Sequence, residues 1–271
     1  MRVDCHIHTP LCGHAIGQPA EYVEVAADKG IDLITFTCHI PMDNAGFRHR
    51  GIRMSHDQVF EYRQMVDFAR ERGESLGVEV LCGIEAEVFP EASELSDMDA
   101  LLAAENFDFI LGSLHHQLPI YQEWLKAHNI REDVAITDTY FRHLADGVRS
   151  GRYHSMSHPD VIRVYGTLKH FDPQASETAI KEFLKALVDC GVCMEVNTSG
   201  LTKGDYIVHP DPIILTWAAE LGVKLTMGSD SHRPESVGQY FQEVSKLLIK
   251  KGFTEIHYFR KGKPEAIAIE G

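Results

Sequence analysis

No run of about 18 apolar residues occurs in the 271-residue chain, and the opening Met1-Arg2-Val3-Asp4-Cys5-His6 carries no apolar signal-peptide core. Neither membrane insertion nor export is expected, which leaves a cytoplasmic setting. Basic residues are scarce beside acidic ones, 26 Lys and Arg against 40 Asp and Glu, for a formal charge of −14. A protein that grips a nucleic-acid backbone needs a basic face, so no nucleic-acid partner is expected. An anionic substrate would have to be captured by local charge, a metal or an arginine, and not by the overall field. The six cysteines (5, 12, 38, 82, 190 and 193) are scattered. The C-x-x-C of Cys190 and Cys193 has no second pair to complete a zinc knuckle, and it straddles a helix end and a buried strand. These read as core thiols in a reducing compartment. No G-x-G-x-x-G follows the first strand, and no strand ends in a G-x-S-x-G or D-x-D arrangement that would supply a nucleophile. Low-complexity linkers and internal repeats are also missing, so the whole of 1–271 is expected to form one domain.

What is present is alternation. Asp4–His8, Asp32–His39, Glu79–Phe89, Phe107–His116, Tyr153–Asp160, Val192–Asn197 and Lys224–His232 read as seven strands. Helices are expected over Pro19–Gly30, from the capping box at Ser55 to Gly73 or Gly77, and over Glu94–Glu105, Arg131–Ser150, Pro173–Cys190, Asp211–Leu221 and Val237–Lys251. Leu118–Asn129 reads as irregular surface, and an edge strand is expected near Ile256. Regular βα alternation means a parallel sheet, either closed or doubly wound. Metal-type residues end nearly every strand, where α/β barrels place their chemistry, and this favours the barrel.

In a strand, His6 and His8 share a face. One H-x-H alone is equally a surface strand, but Asp230 and His232 repeat its period at the other end of the chain, beside it if the barrel closes. Nine residues lie at or just after strand ends: His6, His8, His14, His39, Glu85, His115, His158, Asp230 and His232. Each alone has an ordinary alternative, a hydrogen-bonded histidine, a surface carboxylate or a helix cap. Together they would be costly to bury unpaired. One metal takes three to five such ligands, so nine imply two or three ions. His116, next to His115, should face away, and most of the other histidines read as surface groups.

The stretches Asp4-Cys5-His6-Ile7-His8-Thr9, His14, Cys38-His39, Gly83-Ile84-Glu85, Gly112-Ser113-Leu114-His115, Ser157-His158-Pro159-Asp160, Glu195-Val196-Asn197-Thr198-Ser199-Gly200 and Gly228-Ser229-Asp230-Ser231-His232 occur in this order. The chain thereby resembles the PHP (polymerase and histidinol phosphatase) metal-dependent phosphoesterases, most closely their stand-alone histidinol-phosphatase branch. The resemblance implies a distorted (β/α)7 barrel with a trinuclear centre of zinc, iron or manganese. It places His6, His8, Glu85 and Asp230 on one ion. Glu85 bridges to a second ion that is also held by His115 and His158, and His14, His39 and His232 hold the third. The implied reaction is hydrolysis of a phosphomonoester, most directly L-histidinol phosphate in histidine biosynthesis, releasing inorganic phosphate. A nucleotide or sugar phosphate is the alternative substrate.

Such a reaction needs charge placement above all, and a hydroxide bridging the metals would be its nucleophile. Asp230, Glu85 and His232 are the expected catalytic groups, with Asp230 able to take a proton from the attacking water. Arg163 is the first choice for gripping the phosphate, followed by Arg48 and Lys203, each otherwise a solvated cation. Asn197 would orient phosphate or a substrate ammonium, or else cap a helix. The segments Met42–Met54 and Tyr206–Pro210 have no match that would define the leaving-group side. A regulatory module without turnover and a carboxylated-lysine amidohydrolase are the other readings, the latter lacking a lysine at a strand end. Oligomeric state is not legible.

Overall fold

The structure, a computed structural model, describes residues 1–48, 52–202 and 207–270. Seven strands, β1 (Val3–Ile7), β2 (Leu33–Phe36), β3 (Glu79–Glu87), β4 (Phe109–Ser113), β5 (Ser155–Met156), β6 (Cys193–Asn197) and β7 (Leu225–Gly228), pair in sequence order, and every pairing is parallel. Beyond the end of β7, the His8 N–H donates to the Ser231 carbonyl at 2.9 Å and the Ser231 N–H to the His6 carbonyl at 3.3 Å. That bridge joins the first strand to the last and nearly closes the barrel. These strands are buried on both faces, as expected of a parallel sheet covered by helices, and β1 and β6 carry polar residues (Asp4 and His6, Glu195 and Asn197) within that burial.

Among the described residues, eight helices cover the outside: α1 (Pro19–Asp28), α2 (Val59–Leu76), α3 (Ser96–Ala104), α4 (Pro119–Ala127), α5 (Asp133–Arg149), α6 (Glu177–Cys190), α7 (Pro212–Leu221) and α8 (Phe241–Lys251). Local chemistry sets their ends. Proline occupies the first turn of α1, α4 and α7, where its missing N–H costs nothing. Asp211 caps α7 by accepting from the Ile213 N–H at 2.9 Å. Gly77, Gly191 and Gly222 adopt left-handed φ at the C-terminal ends of α2, α6 and α7. The Ser55 capping box forms, but around a short 3-10 turn (His56–Gln58) that leads into α2.

Several expectations need correction. Residues 118–129 hold the helix α4, whose Tyr121 and Leu125, one turn apart, are both buried. Pro119 opens that helix where the sequence suggested irregularity. The fifth strand shrinks to two residues because the chain turns at His158, which has φ +21°. The seventh stops at Gly228 because Asp230 takes up φ +51°. The sixth and eighth helices begin later than expected, at Glu177 and Phe241. The edge strand near Ile256 is one arm of an antiparallel hairpin, β8 (Glu255–Arg260) with β9 (Lys263–Ala268). Gly73-Glu74-Ser75-Leu76-Gly77 does satisfy G-x-S-x-G as a pattern, yet it lies at the end of α2, where Ser75 Oγ donates to the Arg72 carbonyl. It is not a strand-to-helix elbow. Likewise, Asp97 and Asp99 lie within α3. Cys190 ends α6 and Cys193 begins β6, the latter buried and both free; Cys190 is exposed and so is not a core thiol.

The hairpin packs against the N-terminal ends of the strands. Phe259 stacks on Phe109 (5.2 Å between centroids) and on His154 (5.0 Å). The Lys261 and Gly262 N–H groups donate to Asp108, just before β4. Phe259→Ala is therefore expected to lower unfolding free energy by about 3–5 kcal/mol, read by denaturant titration, while zinc uptake by the folded fraction stays unchanged.

Candidate metal centre

At the opposite end of the barrel, the nine strand-end residues converge. The β1 pairing carries an irregularity between Asp4 and Ile7, yet His6 and His8 still face one another, with Nε2 atoms 3.0 Å apart. His8 Nε2 lies 3.2 Å from Asp230 Oδ1 and 3.6 Å from Glu85 Oε2; His6 Nε2 lies 3.7 Å from each of these oxygens. On the other side of the same carboxylate, Glu85 Oε1 stands 3.5 Å from His115 Nε2 and 3.4 Å from His158 Nε2. His39 Nδ1 is 2.7 Å from Glu85 Oε2. The rings of His8, His14, His39 and His232 form a second group, with His8–His232 centroids at 4.1 Å and His14–His232 at 4.3 Å. All nine expected ligands are thus brought together.

The donor set fits divalent metal. Donors sharing one tetrahedral cation at about 2.0–2.2 Å stand about 3.3–3.6 Å apart, and most of the spacings around Glu85 fall near that range. Glu85 Oε2, His39 Nδ1 and His232 Nε2 are buried without an aligned hydrogen bond, although the first two are only 2.7 Å apart. Buried polar atoms left without an aligned partner in this way are what a site for an additional bound group provides. Compatible groups of donors are His6/His8/Asp230, His39/Glu85/His115 and His8/His39/His232, each with atoms within 4.8 Å.

Behind the ligands lies a layer that fixes their tautomers. His6 Nδ1 donates to Glu195 Oε1 at 2.7 Å, and His115 Nδ1 donates to Glu87. His14 and His232 donate from Nδ1 to the carbonyls of Cys12 (3.0 Å) and Asp230 (2.9 Å). Each commitment leaves Nε2 as a lone-pair donor. Glu195 Oε2 is held in turn by Ser157 Oγ, the His158 N–H and Asn197 Nδ2. Gly228 makes room, since a Cβ there would lie 2.3 Å from Glu195 Oε1 and 2.5 Å from His6 Cβ. Glu87 is clamped by Arg53 Nη2 at 2.6 Å, and Arg53, at φ +120°, also donates to the carbonyls of Phe47 and Ile40. Asp4 accepts from the N–H groups of His6, Ser229 and Gly238, tying β1 to the turn after β7.

Asp4, Arg53, Glu87, Glu195, Asp160 and His209 were not singled out as site residues from sequence. Glu87 was legible, sharing a strand face with Glu85, and Glu195 sits two residues before Asn197 in the same way. Arg53 lies in a loop with no signal. Reading most remaining histidines as surface groups also fails for His116, His209 and His257, which are buried. His116 does face away, with Nδ1 on Thr167 and Nε2 on the Val161 carbonyl. His209 Nδ1 is 2.6 Å from Asp160 Oδ1, and its ring rests on Gly200.

The anticipated substrate contacts are placed differently. Arg163 is tied down: Nε is 2.8 Å from Asp160 Oδ2, Nη1 donates to Asp211 and Nη2 to the Val208 carbonyl. Asn197 is buried, donating to Glu195 and accepting from the Ser199 N–H. Arg48 is exposed and donates to the Met42 carbonyl. Lys203 lies outside the described residues.

Electrostatics follow from burial. Burial lifts Glu85, but the imidazoles of His39 and His6 outweigh it and hold the carboxyl well below its usual range. Burial depresses His39 and His232 well below the ordinary imidazole value. For His8 and His115 burial also acts downward, but Asp230 and Cys38 raise the first to about 8, and Glu87 and Glu85 raise the second to about 9.

Fold and donor set define the class, a parallel-barrel enzyme built to hold divalent metal at the C-terminal ends of its strands. The PHP domain family model matches residues 4–199. A probable histidinol-phosphatase of Deinococcus radiodurans is 29% identical over 267 residues, covering 96% of this chain and 98% of its own. One from Schizosaccharomyces pombe is 27% identical over 285 residues, covering 97% and 90%. Among solved structures, the histidinol phosphate phosphatase of Lactococcus lactis, complexed with zinc, L-histidinol and phosphate, aligns at a TM-score of 0.77 and 21% identity, covering 97% of this chain and 98% of that one. The chain belongs to the PHP domain family.

Two outcomes are expected. Glu195→Gln should weaken zinc binding about 10–100-fold in chelator competition, because it loosens the His6 tautomer. Zinc binding should also release protons and tighten as pH rises through 7 to 9. In metal-free protein the raised His8 and His115 stabilise the fold below about pH 6.5, and that stabilisation is lost as pH climbs through about 8 and 9. The zinc-induced rise in melting temperature should therefore widen across that window, as measured by scanning calorimetry with and without metal.

Proposed function

We propose that this protein is a metal-dependent phosphomonoester hydrolase acting on L-histidinol phosphate and releasing inorganic phosphate. The observation that carries the reading is the meeting of seven imidazoles with the carboxylates of Glu85 and Asp230, in a chain whose near full-length relatives are named probable histidinol-phosphatases. The Lactococcus lactis neighbour, solved with zinc, L-histidinol and phosphate, supports the same assignment of metal and substrate. Three cations are proposed: one on His6, His8, Glu85 and Asp230, one on Glu85, His115 and His158, and one on His14, His39 and His232. When bound, they supply the positive charge that a phosphoryl dianion and its hydrolytic water require.

The chain's own groups do the rest. With Arg163 and Asn197 engaged internally, the −14 charge makes the metal end of the barrel the natural place for an anion to bind. Asp230 sits on a left-handed backbone turn with Oδ2 held by Ser199 Oγ at 3.0 Å, which aims the carboxylate inward to take a proton from the attacking water. Glu85 fixes the spacing of its histidine partners, and His232 is held by the backbone of Asp230 itself. The imidazoles must be neutral to serve as ligands, so turnover is expected to fall below pH ~6.5.

The test is steady-state hydrolysis by zinc-, manganese- and iron-loaded protein over a panel of L-histidinol phosphate, nucleoside monophosphates and sugar phosphates. L-Histidinol phosphate should lead in kcat/KM by orders of magnitude, and Asp230→Asn should lower its kcat by about 10²–10⁴-fold. A leading nucleotide or sugar phosphate would move the substrate and keep the reaction; release of phosphate from no ester would sink the phosphatase reading.

A further inference from the structure

Four of the clustered histidines have an oxygen acceptor behind them, Glu195 for His6, Glu87 for His115 and a backbone carbonyl each for His14 and His232. His8 does not. Its Nε2 is committed inward, 3.0 Å from His6 Nε2 and 3.2 Å from Asp230 Oδ1. A neutral imidazole that gives Nε2 to a cation must carry its proton on Nδ1. Nδ1 of His8 is fully buried and makes no aligned hydrogen bond to any described residue.

Two sulfurs surround this ring. Cys12 and Cys38 are both inaccessible to solvent, and their Sγ atoms lie within 4.8 Å of each other and of a His8 ring nitrogen. Cys38 Sγ accepts from Thr9 Oγ1 at 3.2 Å and points its own S–H at the Thr9 carbonyl, 3.7 Å away. With its own proton committed to that carbonyl, the sulfur keeps a lone pair for a further donor, and the His8 ring is the buried polar group beside it. Cys38 immediately precedes His39 at the end of β2, so the barrel that carries the ligands also fixes this atom.

We propose that Cys38 is a positioning residue of the metal centre, whose sulfur accepts the Nδ1 proton of His8 and so holds His8 with Nε2 toward the cation. A sulfur suits the place. Glu85, Glu87, Glu195, Asp4, Asp160 and Asp230 already crowd this buried end, and a further carboxylate would add repulsion where a thiol adds none. The inference rests on the cluster being a metal centre; it does not depend on which ester the protein hydrolyses.

The experiment is zinc binding to metal-free protein by chelator competition, with zinc alone as probe and no substrate, for the wild type, Cys38→Ser and Cys38→Ala. Ser keeps a small acceptor and Ala removes it. Cys38→Ala should weaken the tightest zinc by about 10–100-fold, with Cys38→Ser within about threefold of wild type. In ¹⁵N-histidine spectra of the zinc-loaded protein, the Nδ1-protonated signal of His8 should persist in wild type and Ser. Circular dichroism of the metal-free proteins checks folding, and should Ala fail to fold, the spectrum of the Ser variant and its affinity decide. Unchanged affinity in folded Cys38→Ala, a Ser variant as weak as Ala, or a His8 protonated at Nε2 in zinc-loaded wild type would each overturn the proposal. A wild type that binds zinc tightly but hydrolyses no ester would remove the phosphatase reading and leave this one standing.

Discussion

The constraint on which this structure turns is the cost of keeping many polar nitrogens and oxygens dry in one place. Glu85 is 1% exposed and stands within 3.7 Å of five imidazoles, and Glu87, Glu195 and Asp160 are buried just behind. Isolated charges of that kind are very costly in a low-dielectric interior. Protons can offset part of it, as the raised His8 and His115 indicate, but a proton cannot satisfy several donors at once. Divalent cations can, and Glu85 Oε2, His39 Nδ1 and His232 Nε2, all buried without an aligned hydrogen bond, are the atoms such cations would satisfy.

Around this core the fold builds two concentric layers with one device. Strand alternation puts residues two apart on the same face, so a single strand supplies a ligand and its support, as β3 does with Glu85 and Glu87. On β6 the same period gives Glu195, which anchors His6, and Asn197, which steadies Glu195. Candidate ligands that strands cannot reach come from turns with unusual backbone. Asp230 and His158 both have positive φ, and each shortens its strand to turn a side chain back over the barrel mouth. Arg53 pays a similar conformational cost to hold Glu87 from the loop side.

Stability and chemistry occupy opposite ends of the barrel. The β8–β9 hairpin seals the N-terminal ends with stacked Phe259, Phe109 and His154, while the C-terminal ends stay polar and crowded with the candidate ligands. One closing element serves both functions. The bridge between His6–His8 and Ser231 joins β1 to the turn after β7, and it is the same chain segment that brings Asp230 and His232 to the H-x-H pair.

The nine residues that meet at the barrel mouth are legible in the chain as polar, metal-type side chains at or just after its β-rich runs, and alternation puts the paired ones on one face. The parallel barrel followed from the same alternation. Glu87 and Glu195 were visible to that logic as partners of residues two positions away. What the chain could not reveal is contact between residues distant in sequence with no periodic mark. That Arg163 would be spent on Asp160 and Asp211, that Arg53 would reach Glu87, and that Pro119 would start a helix in place of a loop depended on how turns and helices pack. Periodicity is a local property and survives in the sequence; the direction of a side chain leaving a turn is set by its three-dimensional neighbours, and only the folded chain decides it.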